Sequence, residues 1–356
     1  MKRRLLTRNT DVQLGGYRLV IHPSFDATIG EMKEKKISLP DEALPIDLEF
    51  SGNENLQGEK ILEIIGRLGK NSLDAAAGQA QSDEILISAY DESLENFKGL
   101  EGTGYLTAHS LVIHGLDDYI PINLLTFYFY TRSLSLSANS VNIRQSEDPE
   151  SDSKRDYLID RSDFLLNNVP DNSLLFVDGP LIGGNMSKQT MDLNNDLVKK
   201  KIIPIFFIKN STSNLVTYYV EELKGKYNSD MHWAYSFLKA GERTNFFRYI
   251  DQSDEAKVER GKAFSKVFCY LKAFNVSPVR IEIESNTFEK YRTSVDRWLD
   301  LVYYLLIVQG DLKNPQVRTI AIAEKYARAT LNLINLGQLM KELGITPTMN
   351  QERFAW

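Results

Sequence analysis

Short apolar runs that end in polar residues recur along the chain from Glu84 onward. Three of them read EILISAYDES, NSLLFVDGPLIGG and KIIPIFFIKNSTS, and a later one reads SPVRIEIES. Runs of this length, bounded by polar and turn residues, predict buried strands. Between the first two lie GYLTAHSLVIHG and LLTFYFYTRSLSLSANSVNIR, whose alternation and aromatic content also predict strands. We expect these two to form an antiparallel meander with the first run.

Helices are predicted between and after these strands. The charged stretch RQSEDPESDSKRD predicts a loop that leads into a helix, and residues 187–200 have an amphipathic helical pattern. Two or three helices are predicted after the KIIPIFFIK strand up to about Lys272, including the apolar segment around Cys269. The last part, from Thr293 to Leu343, is predicted to be helical. This order of elements is typical of a mixed α/β sheet with helices on its faces.

Residues 1–83 differ in character from the rest of the chain. Polar and charged stretches there surround one segment with helical spacing of apolar residues, from Gly58 to Leu73. The stretch AAAGQAQSDE that follows predicts a helix end and a linker. We therefore expect a partly helical N-terminal extension over residues 1–83, for dimerisation or partner docking, and an α/β domain over residues 84–356.

The composition is that of an ordinary folded protein with a sizeable core, with 42% hydrophobic and 25% charged residues among 356. The net charge of −6 argues against a generally basic nucleic-acid-binding surface, although a protein that holds metal needs acidic clusters. The single cysteine excludes a disulfide within the chain and favours a reducing, cytoplasmic location. No apolar run reaches ~18 residues, so neither a transmembrane helix nor membrane association is expected.

Two aspartates follow apolar strands and are the strongest candidates for chemistry. Asp91 follows ILISAY and Asp178 follows LLFV. Polar groups at strand ends converge on ligands in α/β sheets, and two neighbouring carboxylates repel each other unless a cation lies between them. Hard oxygen ligands suit Mg²⁺ or Mn²⁺. The alternatives are a helix cap for Asp91 and turn chemistry for Asp178, which begins an Asp-Gly-Pro sequence.

The predicted helix between the two aspartates carries more acid. Asp156, Asp160, Asp163 and Asn167 recur at spacings that place them on one helix face. They form either a solvated acidic face or a face from which one residue, with Asp160 the most central, points at the sheet and completes a metal site.

Charged residues on two other strands are further candidates. Arg280 and Glu282 alternate on VRIEI and project from the same side of that strand, either as functional groups or as an ion pair on a solvated edge. Lys209 ends the IIPIFFIK strand and either contacts phosphate or extends its charge to solvent. The four histidines show no metal-ligand spacing, and no nucleophile elbow, P-loop or dinucleotide fingerprint is present in the sequence.

These segments together resemble the NurA nuclease family. The resemblance covers about residues 84–335 and is carried by Asp-Glu-Ser at 91–93, FVDGPL, IPIFFIKNSTS, the GER of GERTNFF, and VRIEI, in that order. It implies an RNase H-like fold, a homodimer, and Mn²⁺- or Mg²⁺-dependent DNA cleavage as a 5′-to-3′ exonuclease and single-strand endonuclease. It also implies a hexameric HerA-type ATPase as partner, in DNA end processing or antiviral defence.

The resemblance assigns roles residue by residue. Asp91 and Asp178 match the family's metal-binding aspartates, and Asp160, or alternatively Asp163, lies where the family places a helical Glu. If the protein is an active nuclease, Lys209 and Arg280 are expected to stabilise charge on the phosphate, as in other phosphoryl transfers, with Glu282 beside them. Glu324 stands where the family commonly has a His, and is expected to act as a ligand or an orienting group.

Three departures from the family pattern keep other interpretations open. The first motif reads Asp-Glu-Ser where the family has Asp-Gly-Ser, and the helical Glu and the His are both replaced. One alternative is a weak or inactive RNase H-like adaptor that regulates a HerA-type ATPase. Another is an unrelated α/β protein in which Asp-Gly-Pro is only a turn.

Overall fold

A mixed sheet organises the part of the chain that the structure describes. The structure is a computed structural model, and it describes residues 62–114, 119–131, 143–182, 187–251, 264–310 and 315–348. The chain divides into two units, Met1–Asp41 and Glu42–Trp356, and every described residue belongs to the second. The LSLSANS segment and the first 61 residues lie outside the described part.

Twelve strands pair within this sheet. In chain order they are β1 (Leu62–Ile64), β2 (Lys70–Ser72), β3 (Leu86–Lys98), β4 (Thr103–His114), β5 (Tyr119–Thr131), β6 (Ile143–Gln145), β7 (Ser173–Asp178), β8 (Ile203–Ile208), β9 (Glu242–Thr244), β10 (Phe247–Ile250), β11 (Ser265–Lys272) and β12 (Val279–Glu284). The main path runs β1-β10-β11-β12-β8-β7-β3-β4-β5-β6, and β9 joins β2 to β11.

The centre of the sheet has the predicted RNase H-like order. Strands β3, β4 and β5 form an antiparallel meander, and β7 and β8 continue the sheet parallel to β3. Strand β12 then pairs antiparallel with β8. The predicted meander and the mixed sheet are thereby confirmed.

Helices cover both faces of the sheet. They are α1 (Ala75–Ser82), α2 (Pro149–Asn168), α3 (Ser187–Lys199), α4 (Leu215–Tyr219), α5 (Asp230–Phe237), α6 (Ser285–Lys290), α7 (Arg292–Gln309), α8 (Arg318–Leu331) and α9 (Leu336–Glu342). Among the described residues, none of these helices combines the length and the apolar content that crossing a bilayer requires.

Two apolar cores lie on opposite sides of the central strands. Ala89 and Phe176 pack in one core with residues of α7 and α8, such as Ile320. Their strand neighbours Tyr90 and Val177 pack in the other core with α2 and α3. Because side chains alternate across a strand, each position of β3 and β7 belongs to one known face. We call these the α8 face and the α2 face.

The predicted helix from Gly58 to Leu73 is wrong over its described part. Residues 62–64 form β1, which pairs with β10, and residues 70–72 form β2, which pairs with β9. Gly66 has a φ of 91° and interrupts the helical spacing between them. The stretch predicted to be a helix end and linker is instead a complete helix, α1, capped by the side chain of Asp74.

The predicted helical setting of Cys269 is also wrong. Cys269 lies in β11, and the segment before it contains β9 and β10 as well as the helices α4 and α5. Nearly every residue of β11 is buried, so the strand lacks the alternation that separates a strand from a buried helix.

Candidate metal centre

Asp91 and Asp178 are neighbours on adjacent parallel strands. The last pair in register between β3 and β7 is Tyr90 with Val177, and the next residue on each strand is the aspartate. By alternation both side chains point to the α8 face, as Ala89 and Phe176 do. Asp178 ends β7 as predicted, whereas β3 continues to Lys98 and Asp91 lies inside it. Asp91 is therefore not a helix cap.

The turn after Asp178 holds that residue in place. Gly179 has a φ of 110°, which favours glycine, and its N–H donates to the carbonyl of Phe207 at 2.9 Å. Two residues later the N–H of Leu181 donates to Glu282 at 3.0 Å. Asp178 thus belongs to a turn and to the site at the same time.

Glu324 brings a third carboxylate from α8. One oxygen each from Asp91, Asp178 and Glu324 lie within 4.8 Å of one another. Carboxylate oxygens bound to one Mg²⁺ lie about 3–4.2 Å apart, so these three side chains are close enough to be shared by one ion after they rearrange around it. An all-oxygen donor set of this kind fits Mg²⁺ or Mn²⁺.

The carboxylates place several negative charges close together. Burial, and then the charges of Asp178 and Glu92, raise the pKa of Asp91 to about 7, against a lowering by a backbone hydrogen bond and by Lys209. A cation at the site relieves the unfavourable ionisation of Asp91, because it favours the charged form.

Two basic side chains approach the cluster. The Lys209 ammonium is 2.6 Å from Asp178 and 3.7 Å from Glu324. Arg328, one helical turn after Glu324, binds the same glutamate at 2.7 Å. Arg328 is absent from the predicted site, although the i, i+4 spacing of Glu324 and Arg328 on a helix indicates the pair.

Asp160 lies on the other side of the sheet. It belongs to α2, which packs on the α2 face, and it accepts a hydrogen bond from the Tyr128 hydroxyl at 3.0 Å. Burial raises the pKa of Asp160. Asp156 is buried and accepts from Tyr130 at 2.6 Å, while Asp163 is exposed. The structure therefore does not bring Asp160 or Asp163 together with Asp91 and Asp178.

Arg280 and Glu282 also lie away from the three carboxylates. Ile281 and Ile283 pack in the α8-face core, so their neighbours Arg280 and Glu282 point to the opposite face. Glu282 is fully buried and contacts Arg280 at 3.0 Å and Lys266 at 2.7 Å. This is a buried ion triad rather than a pair on a solvated edge, and through Leu181 it fixes the loop after Asp178.

A buried polar cluster on the α2 face escaped sequence analysis. The Tyr90 hydroxyl and Nδ1 of His109 are 2.7 Å apart, and His109 stacks on Tyr157 of α2. The Tyr157 hydroxyl donates to Glu92, which lies next to Asp91 on β3. The sequence offered no spacing that joins these residues, because they come from three elements.

The sheet order and the three converging carboxylates define an RNase H-like α/β protein with a candidate divalent-metal centre. The profile of the NurA domain family matches residues 82–329, a range that contains Asp91, Asp178 and Glu324. The chain belongs to the NurA domain family.

Solved structures with similar folds include two NurA proteins. The NurA nuclease from Sulfolobus solfataricus is 14% identical, covers 77% of this chain and 88% of its own, and has a TM-score of 0.43. A NurA structure with manganese is 8% identical over 72% of this chain and 89% of its own, with a TM-score of 0.30. Endonuclease V from Ciona intestinalis, bound to DNA that contains inosine, is 11% identical over 73% and 96%, with a TM-score of 0.32. A comparison with curated proteins gave no match.

Proposed function

We propose that this protein is a metal-dependent DNA nuclease that hydrolyses phosphodiester bonds at Asp91, Asp178 and Glu324. The observation that carries the proposal is the approach of three carboxylate oxygens to within 4.8 Å in a member of the NurA domain family. Three ionised carboxylates at a half-buried site repel one another, and Lys209 and Arg328 offset only two of the three negative charges, so their convergence supports a metal-binding role.

The residues present fit Mg²⁺ or Mn²⁺, with Asp91, Asp178 and Glu324 as the ligands. When bound, such an ion supplies activation of a water molecule and stabilisation of the departing oxygen. Lys209 is the residue placed to contact the scissile phosphate, because its side chain is flexible and already lies among the carboxylates. Asp91 would bind the metal in its ionised form, because a carboxylate ligand must be deprotonated.

The other candidate residues receive supporting roles in this proposal. Asp160 ties α2 to β5 through Tyr128. Glu282, held between Arg280 and Lys266, positions the turn that follows Asp178 through the N–H of Leu181. Neither Asp160 nor Glu282 is proposed as a metal ligand.

The proposed reaction includes a partner that delivers DNA. A net charge of −6 gives the chain little general attraction for a polyanion. We propose that a hexameric HerA-type ATPase brings DNA to a homodimer of this protein, in DNA end processing or antiviral defence. The 5′-to-3′ exonuclease and single-strand endonuclease activities belong to the same proposal.

Degradation of linear and closed circular DNA tests the proposal. The wild-type protein, with and without the ATPase, should degrade linear DNA in Mn²⁺ and not in EDTA. Asp178→Asn should lower the rate at least about 100-fold, since it weakens a metal ligand directly. Asp196→Asn is the matched control, because Asp196 is a half-exposed aspartate that also pairs with one lysine.

Absence of degradation by the wild type under all of these conditions would overturn the nuclease proposal. If the inactive protein still bound the ATPase ring and changed its rate of ATP hydrolysis, the adaptor alternative would replace it. Equal rates for Asp178→Asn and the wild type would move the chemistry away from this site.

A further inference from the structure

The ammonium group of Lys209 lies inside the carboxylate cluster. It is 2.6 Å from Oδ2 of Asp178 and 3.7 Å from Oε2 of Glu324. We propose that Lys209 is the internal counter-ion of the metal-free site, and that its ammonium must leave Asp178 when a divalent cation binds. The inference rests on the proposed metal-dependent function.

The geometry makes Lys209 a competitor for the ligands. Its contacts join two of the three carboxylates whose oxygens converge within 4.8 Å. The Lys209 ammonium lies 2.6 Å from Oδ2 of Asp178, and a bound metal would lie ~2.1 Å from an oxygen of the same carboxylate. The two cations therefore compete for the same space beside Asp178. A divalent cation bound to Asp178 would be repelled by the nearby ammonium of Lys209, and the partial burial of the site limits screening by solvent.

The charge balance points the same way. Asp91, Asp178 and Glu324 supply three negative charges when ionised, and Lys209 and Arg328 supply two positive charges. Without Lys209 the site is more negative and attracts a cation more strongly. Lys209 therefore weakens metal binding while it stabilises the metal-free protein.

Only the side chain of Lys209 has to move. The residue follows the last residue of β8, whose neighbour Phe207 is tied to Gly179. The loop beyond it is anchored where the buried Asp230 accepts from Ser213 at 3.0 Å and from the N–H of Thr217 at 2.9 Å. With its backbone held at both sides, the flexible four-carbon stem can carry the charge from Asp178 to a phosphate.

Calorimetric titration with MnCl₂ alone, without DNA, tests the inference at low ionic strength. Lys209→Met should lower the Kd for Mn²⁺ about 10-fold, because it removes a competing cation. Lys209→Arg, which keeps the charge, should stay within about 3-fold of the wild type. Lys199→Met is the matched control, since Lys199 is exposed and pairs with Asp196 at 2.7 Å. Its Kd should not change.

Thermal unfolding without metal provides a second measurement. In EDTA, Lys209→Met should have a lower melting temperature than the wild type. On addition of Mn²⁺, its melting temperature should rise by more than that of the wild type. Lys209→Gln serves the same purpose if the Met variant does not fold. Unchanged or weaker Mn²⁺ binding in the neutral variants overturns the inference, and so does a Lys209→Arg variant that binds Mn²⁺ as tightly as Lys209→Met does.

The two proposals fail differently. A wild-type protein that binds no Mn²⁺ overturns the metal-dependent function and this inference with it. A wild type that binds Mn²⁺ and loses binding in Asp178→Asn, while Lys209→Met binds no tighter, overturns only the role of Lys209.

Discussion

Glu324 supplies the third carboxylate of the candidate metal centre. It reaches Asp91 and Asp178 from α8, and Arg328 at 2.7 Å and Gln316 at 3.4 Å hold its two oxygens. It stands where the family resemblance led us to expect a histidine. A glutamate adds a third negative charge, whereas a neutral imidazole leaves the site with two. Glu324 therefore makes this centre more acidic than a histidine would.

Two substitutions of Glu324 separate ligation from charge. Glu324→Ala removes the third ligand and is expected to weaken Mn²⁺ binding about 10-fold or more. Glu324→His restores a donor atom at similar reach and should recover most of that affinity and of the activity. The Kd for Mn²⁺ from calorimetry and the rate of linear DNA degradation are measured for both variants. Equal Mn²⁺ affinity in the wild type and Glu324→Ala would exclude Glu324 as a ligand.

His109 makes stability depend on pH through the polar cluster of the α2 face. Burial, and then the nearby charge of Arg161, lower the pKa of His109 to about 4 from 6.5. Between these values the unfolded chain binds the proton and the folded protein does not. The unfolding free energy should therefore fall as pH falls from 6.5 to 4, by at most about 3 kcal/mol from this residue.

Urea unfolding at pH 7.5 and pH 4.5 isolates this contribution when the wild type is compared with His109→Gln. Glutamine offers both an acceptor and a donor to the Tyr90 hydroxyl and does not titrate. On acidification, the unfolding free energy of the wild type should fall by about 2 kcal/mol more than that of the variant, because the contributions of the carboxylates cancel in the difference. An equal loss in both proteins would show that His109 is not held neutral.

At the scale of elements, the apolar strands at the centre of the sheet were predicted correctly. The runs that form β3, β7 and β8 are short and apolar, and each ends near a polar residue, so their type and the position of Asp178 followed from the sequence. The spacing on α2 placed Asp156 and Asp160 on one face correctly. It could not tell which side of the sheet α2 covers, and that side decides whether Asp160 reaches the three converging carboxylates.

The errors have two physical causes. β1 and β2 are strands because they pair with strands distant in the chain, and local spacing carries no information about such pairing. β11 is buried along nearly its whole length, so it lacks the alternation that marks a strand. In the same way, the alternation of Arg280 and Glu282 showed that they share a face but not which face. Long-range pairing and the assignment of faces are the parts that the sequence did not determine.

Close packing of two helices gives a prediction at this scale. A Cβ added to Gly78 of α1 would lie 2.1 Å from the carbonyl oxygen of Asp300 in α7 and 2.8 Å from Cβ of Tyr304. Gly78→Ala should therefore cost about 1–3 kcal/mol, since neither backbone can yield without moving a helix. The chemical or thermal unfolding of the purified variant measures this.

Gly337→Ala provides the matched control. Gly337 lies in α9, and an added Cβ would meet nothing closer than Asn335 at 3.6 Å. The substitution should stabilise the protein by about 0.5–1 kcal/mol, because alanine loses less backbone entropy in a helix. A Gly78→Ala protein as stable as Gly337→Ala would mean that α1 is not packed on α7.

For the whole molecule, the segment before β3 is part of the sheet. β1 pairs with β10, β2 pairs with β9, and the N–H of Asp74 donates to Asp300 at 2.9 Å. A chain that begins at Glu84, the expected domain boundary, should therefore lose at least about 3 kcal/mol of stability through lost apolar burial. A chain that begins at Glu42 retains every described strand and should melt closer to the full-length protein. Equal melting temperatures for the two truncated chains would contradict this.

The three proposed ligands lie far apart along the chain, at positions 91, 178 and 324. Synthesis proceeds from the amino terminus, so a growing chain acquires Asp91 and Asp178 long before α8 emerges from the ribosome. Until then such a chain holds only two of the three carboxylates. On the proposal that these three carboxylates bind the metal, a product that ends before α8 is therefore expected to bind Mn²⁺ more weakly than the complete chain.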